Sequence, residues 1–190
     1  MQYLFTLLIS FAMIATALAQ HTYKQHMMIM GCQFDITVIA EDQEQADYFI
    51  DTAVNEMRRI ERLISSWDPK SQTSAINRNA GIRPVSVDQE LFNLIRRALA
   101  LSMVTDGAFD ISYGSMDRIW KFDGSLTEMP EAQQIAQSVA LVGYEKVHIQ
   151  AQDTSVYLEK AGMKIGFGAI GKGYAADKAK ALLQSMGCKG

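Results

Sequence analysis

The 190-residue chain has few of the residues that mark several common functional classes. It holds 18 Lys and Arg against 21 Asp and Glu, a net charge of -3, and no run of basic residues. Proteins that bind nucleic acid through its phosphates need a basic patch, so the composition predicts no nucleic-acid partner. A content of 48% hydrophobic and 21% charged residues is instead typical of a globular domain with a sizeable core.

Cysteine and histidine are also scarce. Cys32 and Cys188 are the two cysteines, there is no CxxC pair, and the three histidines are scattered. These counts argue against a zinc site within the chain. A disulfide between the two cysteines is compatible with an oxidising compartment, but their wide separation does not predict that they pair.

The one long apolar run lies at the N-terminus, from Leu4 to Ala19, and ends in an Ala-x-Ala sequence. Signal peptidase cleaves after small residues at this spacing, so residues 1–19 are predicted to be a signal peptide and the mature chain to be exported. A transmembrane anchor is the alternative, but 16 residues are short for a span. Contact with a membrane is therefore predicted to be peripheral at most.

Apolar periodicity predicts the elements of the first two thirds of the chain. Alternation over residues 27–40 predicts a strand interrupted by Gly31. Helical spacing predicts a long amphipathic helix over residues 43–64, with three arginines on its solvated face: Arg58, Arg59 and Arg62. Residues 65–86 are predicted to be a loop. A second helix is predicted from a capping box at Ser86 to about Val104.

The remaining elements are short. A third helix is predicted from Pro130 to a C-cap at Gly143, followed by three β runs, KVHIQ, SVYLE and MKIGF. A last helix is predicted from about Tyr174 to Met186. Because strands and helices do not alternate regularly, the order predicts an α+β fold rather than a doubly wound sheet, in a single domain over residues 20–190.

The segment IGFGAIGKGYAAD near the C-terminus matches two nucleotide-binding patterns. Gly166, Gly168 and Gly171 form GxGxxG, whereas Gly166, Gly171 and Lys172 form GxxxxGK. Neither pattern fits its context. The first belongs in an opening βαβ unit, and the second needs Ser or Thr where Gly173 stands. Glycines before a helix can still bring the backbone close to a phosphate, with Lys172 beside it; a tight strand-to-helix turn is the alternative.

Two polar segments are further candidates. In SSWDPKSQTSAINRN, Trp67 is either a stacking surface for a flavin or adenine or a lid over the core, and composition alone favours the core. In TDGAFDISYGSMDRIW, aspartates lie among aromatic residues and can accept hydrogen bonds from a nucleotide. A helix cap at Gly107 followed by a strand is the alternative. The residues concerned are Asp106, Phe109, Asp110, Tyr113, Asp117 and Trp120.

Five segments, taken in order, resemble the landmarks of the ApbE family of FAD:protein FMN transferases. They are MGCQFDITV, SSWDPKSQTSAINRN, GAFDISYGSMDRIWKF, ALVGYEKV and GFGAIGKGYAADKA. The resemblance extends from about Met28 to the C-terminus and is more specific than either glycine pattern. It implies an ApbE-like, T-fold-related mixed sheet packed with helices, incomplete at its C-terminus.

The resemblance also implies an activity. An exported enzyme, periplasmic or at the outer face of the cytoplasmic membrane, binds FAD and Mg²⁺. A Thr or Ser hydroxyl of an acceptor protein attacks the flavin-side phosphorus, FMN is transferred as a phosphoester, and AMP leaves. The acceptors it implies are subunits of NADH:quinone reductases and of RNF complexes. Some relatives hydrolyse FAD to FMN and AMP.

The resemblance assigns five FAD-contacting residues outside the glycine loop. Met30 packs on bound FAD, and Trp67 stands where the family has Tyr or Phe against the flavin. The turn formed by Ala108, Phe109 and Asp110 borders the nucleotide. Each assignment is carried over from the matching position of the family pattern.

Within the glycine loop, Lys172 is expected to contact FAD and the backbone oxygen of Ala169 to reach Mg²⁺. Gly166 occupies a position that is often Asp in relatives. Family chains are longer, and their later half carries the side-chain Mg²⁺ ligands and a His, so no catalytic residue is assigned here. An FAD hydrolase and a non-catalytic exported FAD-binding protein stay as alternatives; element order disfavours a Rossmann oxidoreductase.

Overall fold

The structure is a computed structural model that describes residues 21–116, 119 and 128–189. The predicted signal peptide, Asp117 and Trp120 lie outside the described residues. Backbone contacts divide the chain into two compact units, one formed by Met1–Arg58 with Ala176–Gly190 and the other by Arg59–Ala175. Within the described ranges, no helix combines the length and apolarity that a membrane crossing requires.

The first unit begins with a β-hairpin. Strand β1 (His21–Ile29) pairs in antiparallel fashion with β2 (Cys32–Ala40). Met30 and Gly31 form the turn, with φ angles of 54° and 72°. Positive φ at both central residues is characteristic of the two-residue turn that matches the twist of a hairpin. The prediction of one strand interrupted at Gly31 was therefore wrong, because this residue turns the chain between two strands.

Helix α1 (Gln43–Ile64) confirms the predicted long helix. Asp42 precedes it, and its carboxylate accepts a hydrogen bond from the Gln45 amide at 2.8 Å. Of the apolar positions predicted from helical spacing, Leu63 is half-buried and the others are buried: Ala46, Phe49, Ile50, Ala53, Met57, Ile60 and Ile64. Arg58 and Arg62 are exposed as predicted.

A polar cluster lies on the hairpin around Asp35. Its Oδ1 atom lies 2.6 Å from His26 Nδ1 and 3.0 Å from Gln33 Nε2, and its Oδ2 atom lies 3.1 Å from Lys24 Nζ. Hydrogen bonds from Gln33, His26 and Lys24 hold the pKa of Asp35 well below its ordinary value of 3.8. The cluster therefore favours the carboxylate form in the folded hairpin.

This shift has a pH signature. A carboxyl group whose folded-state pKa is depressed adds stability above its unfolded pKa, and that stability is lost as the pH falls toward the folded value. For Asp35 the loss is expected below about pH 3.8. In urea unfolding curves recorded between pH 5 and pH 2, the free energy of unfolding of Asp35→Asn should fall less steeply with decreasing pH than that of the unchanged protein. An equally steep fall would show that the cluster adds nothing to stability.

The second unit contains a three-stranded antiparallel sheet in the order β3-β5-β4, in which Val85 lies opposite Val156 and Val147 opposite Leu158. The α+β fold class is confirmed. The elements are α2 (Gln72–Arg78), β3 (Val85–Ser86), α3 (Gln89–Val104), a 3-10 helix (Ile111–Ser115), α4 (Ala132–Val139), a second 3-10 helix (Tyr144–Lys146), β4 (Val147–Gln150), β5 (Ser155–Leu158) and α5 (Gly171–Ser185), which continues into the first unit.

Several predicted boundaries were wrong. Helix α2 and strand β3 lie in the segment predicted as a loop. Helix α3 is preceded by Asp88 as N-cap rather than Ser86, because Ser86 belongs to β3, where its hydroxyl donates to the Asp153 carbonyl. Helix α4 extends from Ala132 to Val139 rather than from Pro130 to Gly143, with Glu131 as its N-cap and Ala140 as its C-cap. Helix α5 begins three residues before the predicted Tyr174.

Candidate functional site

The arm of the glycine loop, residues 164–165, is not a strand. Asn77 clamps it, because its Oδ1 accepts from the Ile165 amide at 2.9 Å and its Nδ2 donates to the Ile165 carbonyl at 3.1 Å. Ser115 does the same one residue earlier, accepting from the Lys164 amide at 2.8 Å and donating to its carbonyl at 3.0 Å. The prediction of a strand over MKIGF was wrong because side chains take the place of a neighbouring strand.

The apex of the loop follows this arm. The Gly166 amide donates to the Ile111 carbonyl at 3.0 Å, and the Gly168 amide donates to the Tyr113 hydroxyl at 3.1 Å. The Gly171 amide donates to the Phe167 carbonyl at 2.6 Å and closes the turn into α5. These amides are therefore bound within the chain and do not form an open cradle for an anion.

The apex exposes a cation and part of its backbone. Gly168, Ala169 and Lys172 are exposed, and the Lys172 ammonium lies 3.5 Å from the Gly168 carbonyl oxygen. Because Lys172 sits in the first turn of α5, its charge and the positive end of the helix dipole lie together. This arrangement can attract a phosphate through Lys172 more than through the loop amides.

The GAFD segment is a turn followed by a 3-10 helix, so the alternative of a strand after Gly107 was wrong. The Gly107 amide donates to the Ser102 carbonyl at 2.9 Å with φ of 77°, which ends α3. Asp110 then caps the 3-10 helix, because its Oδ1 accepts from both the amide and the hydroxyl of Ser112 at 2.7 Å. Ala108 is exposed and Phe109 half-buried at this turn.

Asp110 and Ser112 also fix the ALVGYEKV segment. The second carboxylate oxygen of Asp110 accepts from the Tyr144 amide at 2.9 Å, and the Ser112 hydroxyl accepts from the Gly143 amide at 2.8 Å. Three hydrogen bonds within the chain thus engage the carboxylate that the family pattern places beside the nucleotide. Partial burial, together with the negative charges of Glu145, Asp106 and Asp110, raises the pKa of the Tyr144 phenol.

Trp67 lies on the loop that leads into α2. The Ser65 hydroxyl accepts from the amides of Trp67 and Asp68 at 3.2 and 3.0 Å, and Ser71 caps α2 by accepting from the Ser74 amide at 2.9 Å. The Trp67 side chain is 76% exposed, so it is not the lid over the core that composition favoured. Its exposed indole ring can stack on a planar ligand.

An ion pair supports the start of α5. Arg59 binds Glu90 through two hydrogen bonds of 2.7 and 3.1 Å, and the Tyr174 hydroxyl donates to the same carboxylate at 2.9 Å. Arg59, which was expected on the solvated face of α1, has a side chain that is 42% exposed and also forms this ion pair. Because Tyr174 follows Lys172 by half a turn, the pair fixes the end of the helix that carries the lysine.

One assigned residue, Met30, belongs to the first unit. Met30 is half-buried in the hairpin turn of the first unit, whereas the other assigned residues lie in the second. Cys32 and Cys188 also lie in the first unit, and both are free thiols. The Cys188 sulfur is in contact with the Ile39 carbonyl at 3.9 Å.

The residues that the structure describes do not form a magnesium site by themselves. Mg²⁺ prefers six oxygen ligands, commonly including one or two carboxylates. Across residues 21–116, 119 and 128–189, no group of three or more His, Cys, Asp or Glu side chains could hold a metal ion. Ala169, whose backbone oxygen is the assigned ligand, is exposed.

Four residues that hold the site together were not predicted from the sequence: Asn77, Ser112, Ser115 and Tyr144. Tyr113 was predicted only as one of the aromatic residues near the aspartates, not as a partner of the glycine loop. Each of the five lies inside a landmark segment, which was the available signal, but binds a partner that is distant in sequence. Asn77 and Ile165, for example, are 88 residues apart.

The second unit is thus an α+β arrangement in which four landmark segments are joined by hydrogen bonds around one glycine loop. The model of the ApbE family matches residues 30–190, and the chain belongs to the ApbE family. Its resemblance to that family is confirmed.

Named relatives agree with this assignment. The chain is 31% identical over 164 residues to an FAD:protein FMN transferase from Klebsiella pneumoniae (strain 342), a match that covers 86% of this chain and 51% of the relative. It is 30% identical to one from Treponema pallidum (strain Nichols), over 67% of this chain and 36% of the relative. The chain therefore spans about half the length, or less, of these curated relatives.

Solved structures have the same fold. The crystal structure of the ApbE protein from Thermotoga maritima superposes with a TM-score of 0.73 at 28% identity, over 87% of this chain and 53% of that one. The flavin transferase ApbE from Vibrio cholerae gives a TM-score of 0.74 at 20% identity, over 90% and 56% of the two chains, and supports the fold alone.

Proposed function

We propose that this chain forms the FAD-binding portion of an FAD:protein FMN transferase. FAD is the substrate, FMN passes to a Thr or Ser hydroxyl of an acceptor protein, and AMP is released. The observation that carries the proposal is the hydrogen-bonded assembly of the landmark segments, which presents Lys172 at the exposed apex of a glycine loop. The names of the ApbE relatives support it.

The roles of the individual residues follow from their chemistry. Lys172, an exposed cation near the positive end of α5, would bind the pyrophosphate of FAD. Trp67 would stack on the flavin, since its ring is exposed on a loop that is itself held by hydrogen bonds. The backbone of Ala108 and the ring of Phe109 would border the nucleotide, with Asp110 keeping that turn in shape. Gly166 is buried within the loop, and the family resemblance assigns contacts with FAD to Gly166 and to Met30.

The location and the partners belong to the same proposal. The apolar run before Ala19 supports export to the periplasm or to the outer face of the cytoplasmic membrane. The acceptors proposed are subunits of NADH:quinone reductases or RNF complexes. Mg²⁺ would bind the Ala169 carbonyl and side-chain ligands outside the described residues.

Transfer is tested with the full-length gene product, FAD, Mg²⁺ and an acceptor fragment carrying the target threonine. Mass spectrometry is expected to find FMN on the fragment and an equal amount of AMP in solution. Neither product is expected with a control fragment in which the isosteric residue Val replaces the threonine. AMP without labelled fragment would favour the hydrolase. Bound FAD without either product would favour the non-catalytic binding protein. Chelation with EDTA tests the need for Mg²⁺.

Lys172→Ala is expected to weaken FAD binding about tenfold, because a charge-assisted hydrogen bond to a phosphate is worth about 1.5 kcal/mol or more. Quenching of flavin fluorescence measures the dissociation constant. Lys180→Ala serves as the matched control, since Lys180 is also exposed on α5. Equal FAD affinities of the Lys172→Ala and Lys180→Ala variants would show that Lys172 does not contribute to FAD binding.

A further inference from the structure

The apex of the glycine loop is tethered differently from its arm. Asn77 and Ser115 clamp the arm at Ile165 and Lys164, before the apex. At the apex, the Tyr113 hydroxyl accepts a hydrogen bond from the Gly168 amide at 3.1 Å. Tyr113 therefore tethers an exposed part of the loop.

Gly168 links this tether to the proposed FAD contacts. Its amide binds Tyr113, its carbonyl oxygen lies 3.5 Å from the Lys172 ammonium, and its peptide bond leads to Ala169. A shift of the Gly168 backbone would therefore move both the partner of Lys172 and the Ala169 carbonyl. We propose that Tyr113 is a positioning residue for FAD binding, acting through Gly168 on Lys172. This inference rests on the proposed function of the loop.

The packing of Tyr113 explains why position 168 is a glycine. A Cβ atom at residue 168 would overlap the Tyr113 hydroxyl, and one at residue 166 would lie 3.4 Å from it, in ordinary contact. The Tyr113 side chain is 41% exposed, so it can swing outward if its place is taken. Gly168→Ala should therefore displace the Tyr113 hydroxyl and break the same hydrogen bond that Tyr113→Phe removes. Because the Tyr113 ring can move outward, the substitution should not leave a steric clash in the core.

The test is a set of FAD dissociation constants, measured by flavin fluorescence quenching on the full-length gene product. Tyr113→Phe and Gly168→Ala are each expected to weaken binding about fivefold, as for loss of one neutral hydrogen bond. The double variant should be weakened about fivefold rather than about 25-fold, because both changes remove one interaction. In a Lys172→Ala background, Tyr113→Phe should add less than about twofold.

A matched control removes a hydroxyl elsewhere in the second unit. Tyr157→Phe deletes an exposed hydroxyl that donates to the Glu159 carbonyl, and it should bind FAD like the unchanged protein. Melting temperatures separate positioning from folding: Tyr113→Phe should melt within about 3 °C of the unchanged protein.

Two results would overturn the inference while leaving the proposed function intact. One is unchanged FAD affinity in Tyr113→Phe when the unmodified protein binds FAD. The other is a full, independent fivefold loss from Tyr113→Phe in the Lys172→Ala background, since the effect would not then pass through the lysine. Absence of FAD binding by the unmodified protein would instead overturn the proposed function, and this inference with it.

Discussion

Asp110→Ala is expected to lower the free energy of unfolding by about 3 kcal/mol. The carboxylate accepts hydrogen bonds from the Ser112 amide, the Ser112 hydroxyl and the Tyr144 amide, and each bond to a charged group is worth about 1.5 kcal/mol or more before relaxation. Ser112 is buried, so its released donors would lose their partner away from water. Urea unfolding followed by circular dichroism measures the change.

Two further variants sharpen this prediction. Asp110→Asn keeps one acceptor oxygen but turns an NH₂ group toward a donor, so it should lose roughly half as much stability. Asp51→Ala, at an exposed position of α1, should change stability by no more than about 0.5 kcal/mol. A loss for Asp110→Ala no larger than that of the control would show that Asp110 does not hold the GAFD turn to the Tyr144 segment.

Asn77→Ala is expected to cost about 2 kcal/mol of stability and to weaken FAD binding as well. The side-chain amide both donates to and accepts from Ile165, so its removal leaves a carbonyl and an amide of the loop arm without their partner. Asn77→Asp should lose about as much, because a carboxylate accepts from the Ile165 amide but repels the neighbouring carbonyl.

The matched control for this clamp is Asn93→Ala. Asn93 is exposed on α3, where its side chain accepts a 3.2 Å hydrogen bond from the Gln89 side chain. Its loss should stay within about 0.5 kcal/mol. If Asn77→Ala kept the stability of this control and the FAD affinity of the unchanged protein, the clamp would have no role in shaping the loop.

Periodicity predicted the elements that bury one continuous face. The spacing of Ile50, Ala53, Met57 and Ile60 defined α1, and the short β runs around Ile149 and Tyr157 defined β4 and β5. The apolar pattern is sufficient there because solvent on one side and core on the other impose a single period.

The predictions of secondary structure were wrong where the local residue pattern and the tertiary contacts favour different structures. Met30 adopts a left-handed backbone conformation, which is uncommon for this residue type. The sequence therefore predicted one strand where the structure has a hairpin. The MKIGF run has the composition of a strand, but Asn77 and Ser115 occupy its hydrogen-bonding edge. Polar side chains that replace a strand carry no periodic signal.

The candidate site could be predicted from the sequence only because its landmark segments occur in the order typical of the family. The resemblance named Lys172, Trp67 and the GAFD turn, and the structure places these in one unit. It did not indicate how the segments hold one another, because the Asp110 and Asn77 contacts join residues 34 and 88 positions apart. Such pairs depend on the fold and cannot be read from spacing.

The proposed FAD site is tested most directly by a crystal structure of the full-length gene product with FAD. We expect a pyrophosphate oxygen within about 3 Å of Lys172 Nζ, the flavin ring against Trp67, and the Tyr113 to Gly168 hydrogen bond intact. FAD bound away from residues 165–172, with Lys172 still facing solvent, would contradict the proposed site.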